Sequence, residues 1–453
     1  MSAKGEEEQF AKIAEALGVV RCCGTALGAM AQYSDNTRDE LDEMLDIFDD
    51  LPSMYHRLAP DYMARLEKCQ DLVKENGKII NDAIEFYKRA LRTRPKEVQQ
   101  RKCNCGCFED DSEFDEDAAA AAAATSTAMG DDDDMEEKNK SKKQGRVSES
   151  DHDHDHQHDP EPRCHDDDQS AKKSSSTAKK QKKVAWEHQQ MAQNIVQQFY
   201  REWSVEGVIE RDECFKPIVD RCRKFIDTLC SGDEAPRTSN LKCLVPGAGM
   251  CRLAYEIAAA LPQVDVVACE VSHAMLLPAQ YLLGGNIAPN TYTMYPFAHI
   301  TGNVMHAESM QHAAAHVPDV RVDPQMLISK HLTVTTEDFI AFCESQPRHG
   351  GFEMLATCFF IDTSFNILDY IRASTLLLKK GGIWINSGPL HWVHSQWDSI
   401  RLSMDEIVHA MEIVGYEFIE APTVMPYRHY CSPPGSLMPM VFDCCIWVAK
   451  LTQ

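Results

Sequence analysis

From Glu6 to about Arg92 apolar residues recur at helical spacing. Phe10, Ile13, Ala14 and Leu17 make one stripe, Leu41, Met44, Leu45 and Phe48 a second, and Leu66, Leu72, Ile79, Ile80, Ala83, Ile84 and Tyr87 a third. Pro52 and Pro60 break the pattern into separate helices. Residues 1–100 therefore read as a helical region whose stripes need a partner, and its expected role is scaffold. From Trp186 order returns: Glu187 to Trp203 predicts an amphipathic helix with Met191, Ile195 and Phe199 inward and Trp203 at the margin. Beyond it, strand-like runs alternate with helices. Cys243–Val245, Val264–Ala268, Leu332–Thr335, Phe352–Ile361, Ile383–Ile385 and Cys444–Val448 are the strands. Between them fall a helix after Glu270 with Met275, Leu276 and Leu277 buried, one over Asn366–Lys380 stopped by Gly381, and one opened by a Ser403/Glu406 capping box and running to about Val414. Residues 286–330 read as an irregular substrate-side insertion carrying Tyr292, Tyr295, Phe297 and His299. The alternation predicts an α/β, doubly wound sheet with an antiparallel pair at the carboxyl end.

The stretch Leu241–Glu270 carries the first chemistry. A strand runs into Gly247 and Gly249, where a residue without Cβ lets the chain turn and approach a ligand, then a helix, a second strand and Glu270 at its end. A strand-end carboxylate can accept both hydrogens of a ribose diol. Cys251 stands where a dinucleotide fingerprint would have its third glycine, and two glycines alone are shared by dehydrogenases and methyltransferases. Asp338 and Asp362 fall at later strand ends, with Phe339 beside Asp338 as an adenine contact. Together they describe a site for an adenosine-containing ligand.

Residues 101–184 collapse into acidic, alanine, histidine and lysine runs, which predicts a disordered insert. CNCGC at Cys103–Cys107 and DHDHDHQH at Asp151–His158 could chelate, yet the cysteine spacing is not that of a zinc knuckle, so no structural or catalytic metal is expected. Excising residues 104–180 is expected to leave the thermal midpoint nearly unchanged, because such a tract buries little apolar surface; a large drop that added metal reverses in the full chain would sink that reading. The formal charge of −24 disfavours nucleic acid and anionic membrane as partners. Eighteen cysteines, several inside apolar strands, read as reduced thiols. With no signal-type N-terminus and no apolar run of about eighteen residues, the expectation is a cytoplasmic protein, with the nucleus a second compartment. A homodimer is compatible with all of this.

Five motifs go further. LVPGAGxxRLAxEIA from Leu244, DF at Asp338–Phe339, ATCFFIDT at Ala356–Thr363, GGIWINxGPL at Gly381–Leu390 and QFxREWS at Gln198–Ser204 together resemble the carnosine N-methyltransferase family. The similarity covers nearly the whole chain outside the acidic insert. It implies a class I S-adenosylmethionine-dependent methyltransferase domain over 185–453: a Rossmann-like doubly wound sheet with an antiparallel last strand, preceded by the helical region. It implies that Gln198 and Arg201 hold the methionine end of S-adenosylmethionine, Gly247 and Gly249 the turn beneath it, and Glu270 the ribose. Asp338, Phe339 and Cys358 would surround the adenine and the sulfonium. The acceptor would be a histidine-containing dipeptide, carnosine, methylated on an imidazole nitrogen to anserine. Its contacts would be Asp362, Tyr430, Phe442 and a histidine after GPL, either His391 or His394, of which the spacing favours His394 if one residue is inserted. Phe442 departs from the family, which has a tyrosine there. A phenylalanine cannot donate the phenolic hydrogen bond, so another histidine-bearing peptide or protein stands as the alternative acceptor, and a cofactor-binding interaction protein as a non-catalytic alternative. Within this reading Asp362 and His394 are catalytic: a carboxylate bonded to the distal N–H of the imidazole selects the tautomer and stabilises the product cation. The competing role for Asp362 is an N-cap for the following helix.

Overall fold

A computed structural model describes residues 3–21, 24–100, 189–230, 241–347, 351–393 and 399–453. The described residues lie in one unit made of the N-terminal stretch and residues 188–453. The tract with CNCGC and DHDHDHQH lies outside them.

The strands are β1 (Leu241–Pro246), β2 (Val264–Cys269), β3 (Tyr292–Met294), β4 (Ala315–Val317), β5 (Leu332–Thr335), β6 (Phe352–Cys358), β7 (Leu378–Gly388), β8 (Tyr416–His429) and β9 (Val441–Leu451). Seven form one sheet in the order β5-β2-β1-β6-β7-β9-β8. β5, β2, β1, β6 and β7 are parallel, and β9 runs antiparallel between β7 and β8. The strand order reverses direction beside β1, so the carboxyl ends of β1 and β6 open the crevice where such sheets bind ligands. β1 forms because Leu241, Cys243, Leu244 and Val245 are all buried between layers of helices, as a continuous apolar run in a parallel strand requires.

Several local expectations are corrected by packing. β6 stops at Cys358 and not Ile361, because Phe359 takes a left-handed φ of 51° and the chain then winds into a short 3-10 turn at Ile361–Thr363. The next helix, Ile367–Leu377, ends without using Gly381. Leu377 and Leu378 are fully buried, Leu378 pairs with Phe352, and the chain passes straight into β7, with Gly381 inside that strand at φ 85°. β8 has no counterpart in the predicted strands: it is an edge strand with register shifts and exposed apolar side chains such as Ile419 and Val424, so neither an apolar run nor clean alternation marks it. The insertion after Asn286 contains a small antiparallel ribbon, β3–β4. The capping box is present, with Ser403 Oγ accepting from the Glu406 N–H and Glu406 Oε2 from the Ser403 N–H at 2.8 Å, opening the helix Met404–Ile413.

The N-terminal helices Ala3–Ala16, Gly24–Ala31, Tyr33–Asp49, Ser53–Leu58 and Tyr62–Arg92 pack on the sheet unit beside β5. Gly18 sits at φ 60°, where an added Cβ would lie 2.3 Å from the Val334 carbonyl oxygen. Gln280 donates to the Leu17 carbonyl, Thr336 donates to that of Gly18, and the Asn76 amide both donates to and accepts from the Tyr295 backbone. The stripes thus meet the sheet edge and the 286–330 insertion.

Candidate active site

The turn after β1 is shaped by two left-handed glycines. A Cβ on Gly247 would lie 2.3 Å from the Phe360 ring, and one on Gly249 would lie 2.7 Å from Glu202 Oε1. Cys251 also adopts a left-handed φ of 64°, as the missing third glycine would. Glu270, at the end of β2, ties this turn down: Oε2 accepts from the Gly249 N–H at 2.9 Å and Oε1 from the Ser272 N–H at 2.7 Å. Burial pushes its carboxyl up, and those N–H groups pull it back. Each oxygen keeps a further lone pair for a diol. Asp338 is exposed and caps the helix Phe339–Ser345, Oδ1 accepting from the N–H groups of Ile340 and Ala341, which leaves Oδ2 free of those bonds. Phe339 is buried, edge-on to Phe360 and Tyr370, so its ring belongs to the core beneath the cradle.

The helix over residues 189–203 runs beside this cradle. Gln198 and Arg201 lie on it, but not on a solvated face: they are 9% and 5% exposed, and the last two turns are buried nearly all round. The Arg201 guanidinium lies over the rings of Tyr430 at 4.6 Å, Phe215 at 4.9 Å and Phe359 at 5.4 Å. Its nearest carboxylates, Glu210 at 3.6 Å and Glu202 at 3.9 Å, stand beyond hydrogen-bond reach, and Nε and Nη2 have no hydrogen-bond partner. A buried guanidinium with orphaned N–H groups fits an anionic ligand group, since leaving such donors unmet is costly. Cys358, at the end of β6, is half-buried with its thiol pushed up by burial.

Three acids with no predicted role organise this wall. Glu202 accepts from the N–H groups of Met250 and Arg252, clasping the glycine turn to the helix. Glu210 accepts from the N–H groups of Cys431 and Ser432, while Glu213 accepts from the His429 N–H, so the backbone on both sides of Tyr430 is held by carboxylates. Arg252, bidentate to Asp319, which also takes Arg211, completes the buried ionic network. For Glu202 the sequence signal was an acid flanked by the aromatics Phe199, Tyr200 and Trp203.

Asp362 sits in the 3-10 turn after β6, 4% exposed. It is no N-cap: Asn366 caps the following helix by accepting from the Leu368 N–H. Asp362 Oδ2 instead accepts from the His391 N–H at 2.9 Å, and the Trp392 N–H also faces the carboxylate. Burial raises its pKa, with the His391 bond opposing. Tyr430 and Phe442 meet here: Phe359 lies 4.9 Å from Tyr430 and 5.7 Å from Phe442, and Phe442 is 5.7 Å from the His391 ring. The Tyr430 hydroxyl accepts from Gln198 Nε2 at 3.1 Å, and burial pushes its pKa up to about 12, so its own proton remains to be donated. His394 lies outside the described residues; the hydrogen bond from His391 to Asp362 is made by its backbone N–H. Phe359, Trp392 and Cys431 all take left-handed φ values around this cleft, a concentration of strained backbone that the surrounding packing must over-determine. Among the described residues no group of three His, Cys, Asp or Glu could hold a metal ion, and no helix is long and apolar enough to cross a membrane.

A sheet with its one antiparallel strand between β7 and the edge, a left-handed glycine turn after β1 and an acid ending β2 define a class I S-adenosylmethionine-dependent methyltransferase. Residues 178–453 match the sequence model of the family described as Carnosine N-methyltransferase, and the chain belongs to that family. It is 29% identical over 280 residues to Carnosine N-methyltransferase of Schizosaccharomyces pombe, a match that spans 58% of this chain and 71% of that protein. Carnosine N-methyltransferase of Mus musculus is 33% identical over 269 residues, 57% of this chain and 62% of the mouse protein, and that of Dictyostelium discoideum 30% identical over 259 residues, 56% and 53%. The chain thus spans between about half and seven-tenths of these relatives.

Proposed function

We propose that this protein methylates an imidazole nitrogen of carnosine, giving anserine and S-adenosylhomocysteine. The observation that carries the reading is the placement of a buried carboxylate, Asp362, beside an aromatic wall of Phe359, Tyr430, Phe442 and His391, with the Arg201 guanidinium, whose Nε and Nη2 lack hydrogen-bond partners, over the Phe359 and Tyr430 rings. S-adenosylmethionine, when bound, supplies an electrophilic methyl group. Arg201 and Gln198 would hold its carboxylate end, the Gly247–Gly249 turn its backbone-facing side, Glu270 its ribose, and Asp338, Phe339 and Cys358 the adenine and sulfonium surroundings.

The rest is work for the chain's own side chains. The attacking imidazole nitrogen must offer a lone pair, so its hydrogen must sit on the other nitrogen. Asp362 accepts that N–H and holds the proton there while positive charge develops on the ring; His391 or His394 is the second histidine this reading assigns to the acceptor. Tyr430, protonated and steadied by Gln198, can donate to the acceptor. Phe359 and Phe442 exclude water, and no nucleophile on the protein is needed because two oriented reactants can gain about 7 to 11 kcal/mol in the best model systems. The test is incubation of purified protein with isotopically labelled S-adenosylmethionine and carnosine. Labelled anserine is the expected product, and its absence at micromolar enzyme would overturn the assignment.

Phe442 makes the acceptor side testable in the other direction. Phe442→Tyr restores a phenol within the aromatic wall, so catalytic efficiency with carnosine should rise several-fold while the KM for S-adenosylmethionine stays put. An equal change with every imidazole acceptor, or a poorer enzyme, would show that the hydroxyl has no part in recognising the dipeptide.

The pH dependence has a definite sign. Both the acceptor imidazole, with an ordinary pKa near 6.5, and Asp362, raised by burial, must lose a proton before transfer. Activity should therefore climb as pH rises through the acid limb. Its slope should steepen at the lowest pH in the parent and remain at one proton in Asp362→Asn, read from kcat/KM profiles between about pH 5 and 8.

A further inference from the structure

We infer that Arg428 anchors a carboxylate of the acceptor, and so selects imidazole substrates that carry an acid group. The inference rests on imidazole methylation at this site and adds which end of the acceptor is gripped.

Three observations converge on it. β8 and β9 place Arg428 directly across from Phe442 in their antiparallel register, and directly opposed residues project from the same face of a sheet. Phe442 belongs to the acceptor wall, with Phe359 and His391 each 5.7 Å from its ring and Tyr430 6.2 Å away. Arg428 therefore leaves its strand on the side where the acceptor would lie. Cys444, two residues along β9 from Phe442 and on the same face, is fully buried, so that face of the strand turns inward.

The second observation is the state of the guanidinium. Arg428 is only partly exposed, and its Nε is buried with no hydrogen-bond partner. The neighbouring acids are already committed: Glu213 to the N–H and ring of His429, and Glu210 to the N–H groups of Cys431 and Ser432. Among the described residues no ion pair to Arg428 is formed. A guanidinium that meets a planar carboxylate with two parallel N–H bonds would satisfy such a donor, which a lysine in its place would do less well.

The third is charge. A chain with a formal charge of −24 repels an anionic small molecule at long range, so its capture calls for local cations inside the cleft. Arg201 faces the cofactor side; Arg428 is the cation on the Phe442 side. A carboxylate held there would also account for an acceptor wall that works without the phenol at position 442.

The test pairs two acceptors with three proteins. Carnosine and its decarboxylated analogue β-alanylhistamine differ in the carboxylate alone. The parent should prefer carnosine by at least tenfold in kcat/KM, expressed in KM. Arg428→Met should raise the carnosine KM by 10- to 100-fold and shift the analogue by less than threefold, with the KM for S-adenosylmethionine unchanged; Arg428→Lys should fall between. Equal losses with both acceptors, or no loss with either, would overturn the inference. Should the parent methylate neither compound, imidazole methylation of this dipeptide fails on its own. Calorimetric binding of carnosine against β-alanylhistamine, with S-adenosylhomocysteine present, then decides the anchor: a preference for the carboxylate that vanishes in Arg428→Met supports it, and equal affinities in the parent overturn it.

Discussion

Asp362→Asn is expected to lower methyl transfer at saturating substrates by roughly 10²- to 10⁴-fold while S-adenosylmethionine binds as before, by analogy with a tautomer-setting aspartate whose asparagine variant loses about 10⁴ in turnover. The geometry says which way the amide would point. Oδ2 of Asp362 accepts from the His391 N–H at 2.9 Å, and the Trp392 N–H bears on the same carboxylate. An asparagine must keep its single oxygen toward those donors, which turns its NH2 toward the acceptor. A donor then faces the imidazole where an acceptor is needed, and the tautomer with its lone pair on the wrong nitrogen is favoured. Stability should move the other way. Because burial raises the Asp362 pKa in the folded protein, its contribution to stability is present below the unfolded value near 3.9 and is lost as pH rises through the folded one. At neutral pH the asparagine variant should therefore melt at or slightly above the parent temperature. Turnover within a few-fold of the parent, at equal cofactor affinity, would remove Asp362 from catalysis.

Glu270→Ala should weaken S-adenosylmethionine binding by about 10- to 100-fold, following from the roughly 1.5 to 3 kcal/mol that hydrogen bonds to a charged group contribute. Two losses combine. The ribose would lose its carboxylate acceptor, and the N–H groups of Gly249 and Ser272, now bonded at 2.9 and 2.7 Å, would be left without partners. The second loss lowers the thermal midpoint even without cofactor, since the glycine turn is no longer tied to β2. Glu270→Gln separates the two, because its one oxygen can meet one backbone donor and so recovers part of the stability. Titration calorimetry reads the first effect and a melting curve the second. An unchanged dissociation constant for the alanine variant would mean that the ribose lies elsewhere.

The sequence by itself determined whatever depends on neighbours along the chain. Val264–Cys269 and Leu332–Thr335 announce themselves as β-branched runs, the Ser403/Glu406 box closes over one helical turn, and Gly247 and Gly249 mark a turn that only φ near 57° allows. Glu270 could be expected beside the glycine turn because it directly follows β2, whose end lies there. The remaining features share one cause: each turns on a contact between residues far apart in sequence. Nothing along the chain marks Arg201 and Gln198 as buried; Tyr430, Phe215 and Phe359 close over Arg201 from other parts of the fold, and Gln198 meets the Tyr430 hydroxyl. Glu202 and Glu210 look like ordinary helix acids until their partners prove to be backbone N–H groups about 50 and 220 positions away. Gly381 failed to stop its helix because burial of Leu377 and Leu378 against the sheet outweighed a local preference, and β8 was hidden because an edge strand needs only one covered face. That the His391 N–H reaches Asp362, and that Arg428 stands opposite Phe442, are matters of loop path and strand register, and register is set by how the strands pair once the sheet has closed.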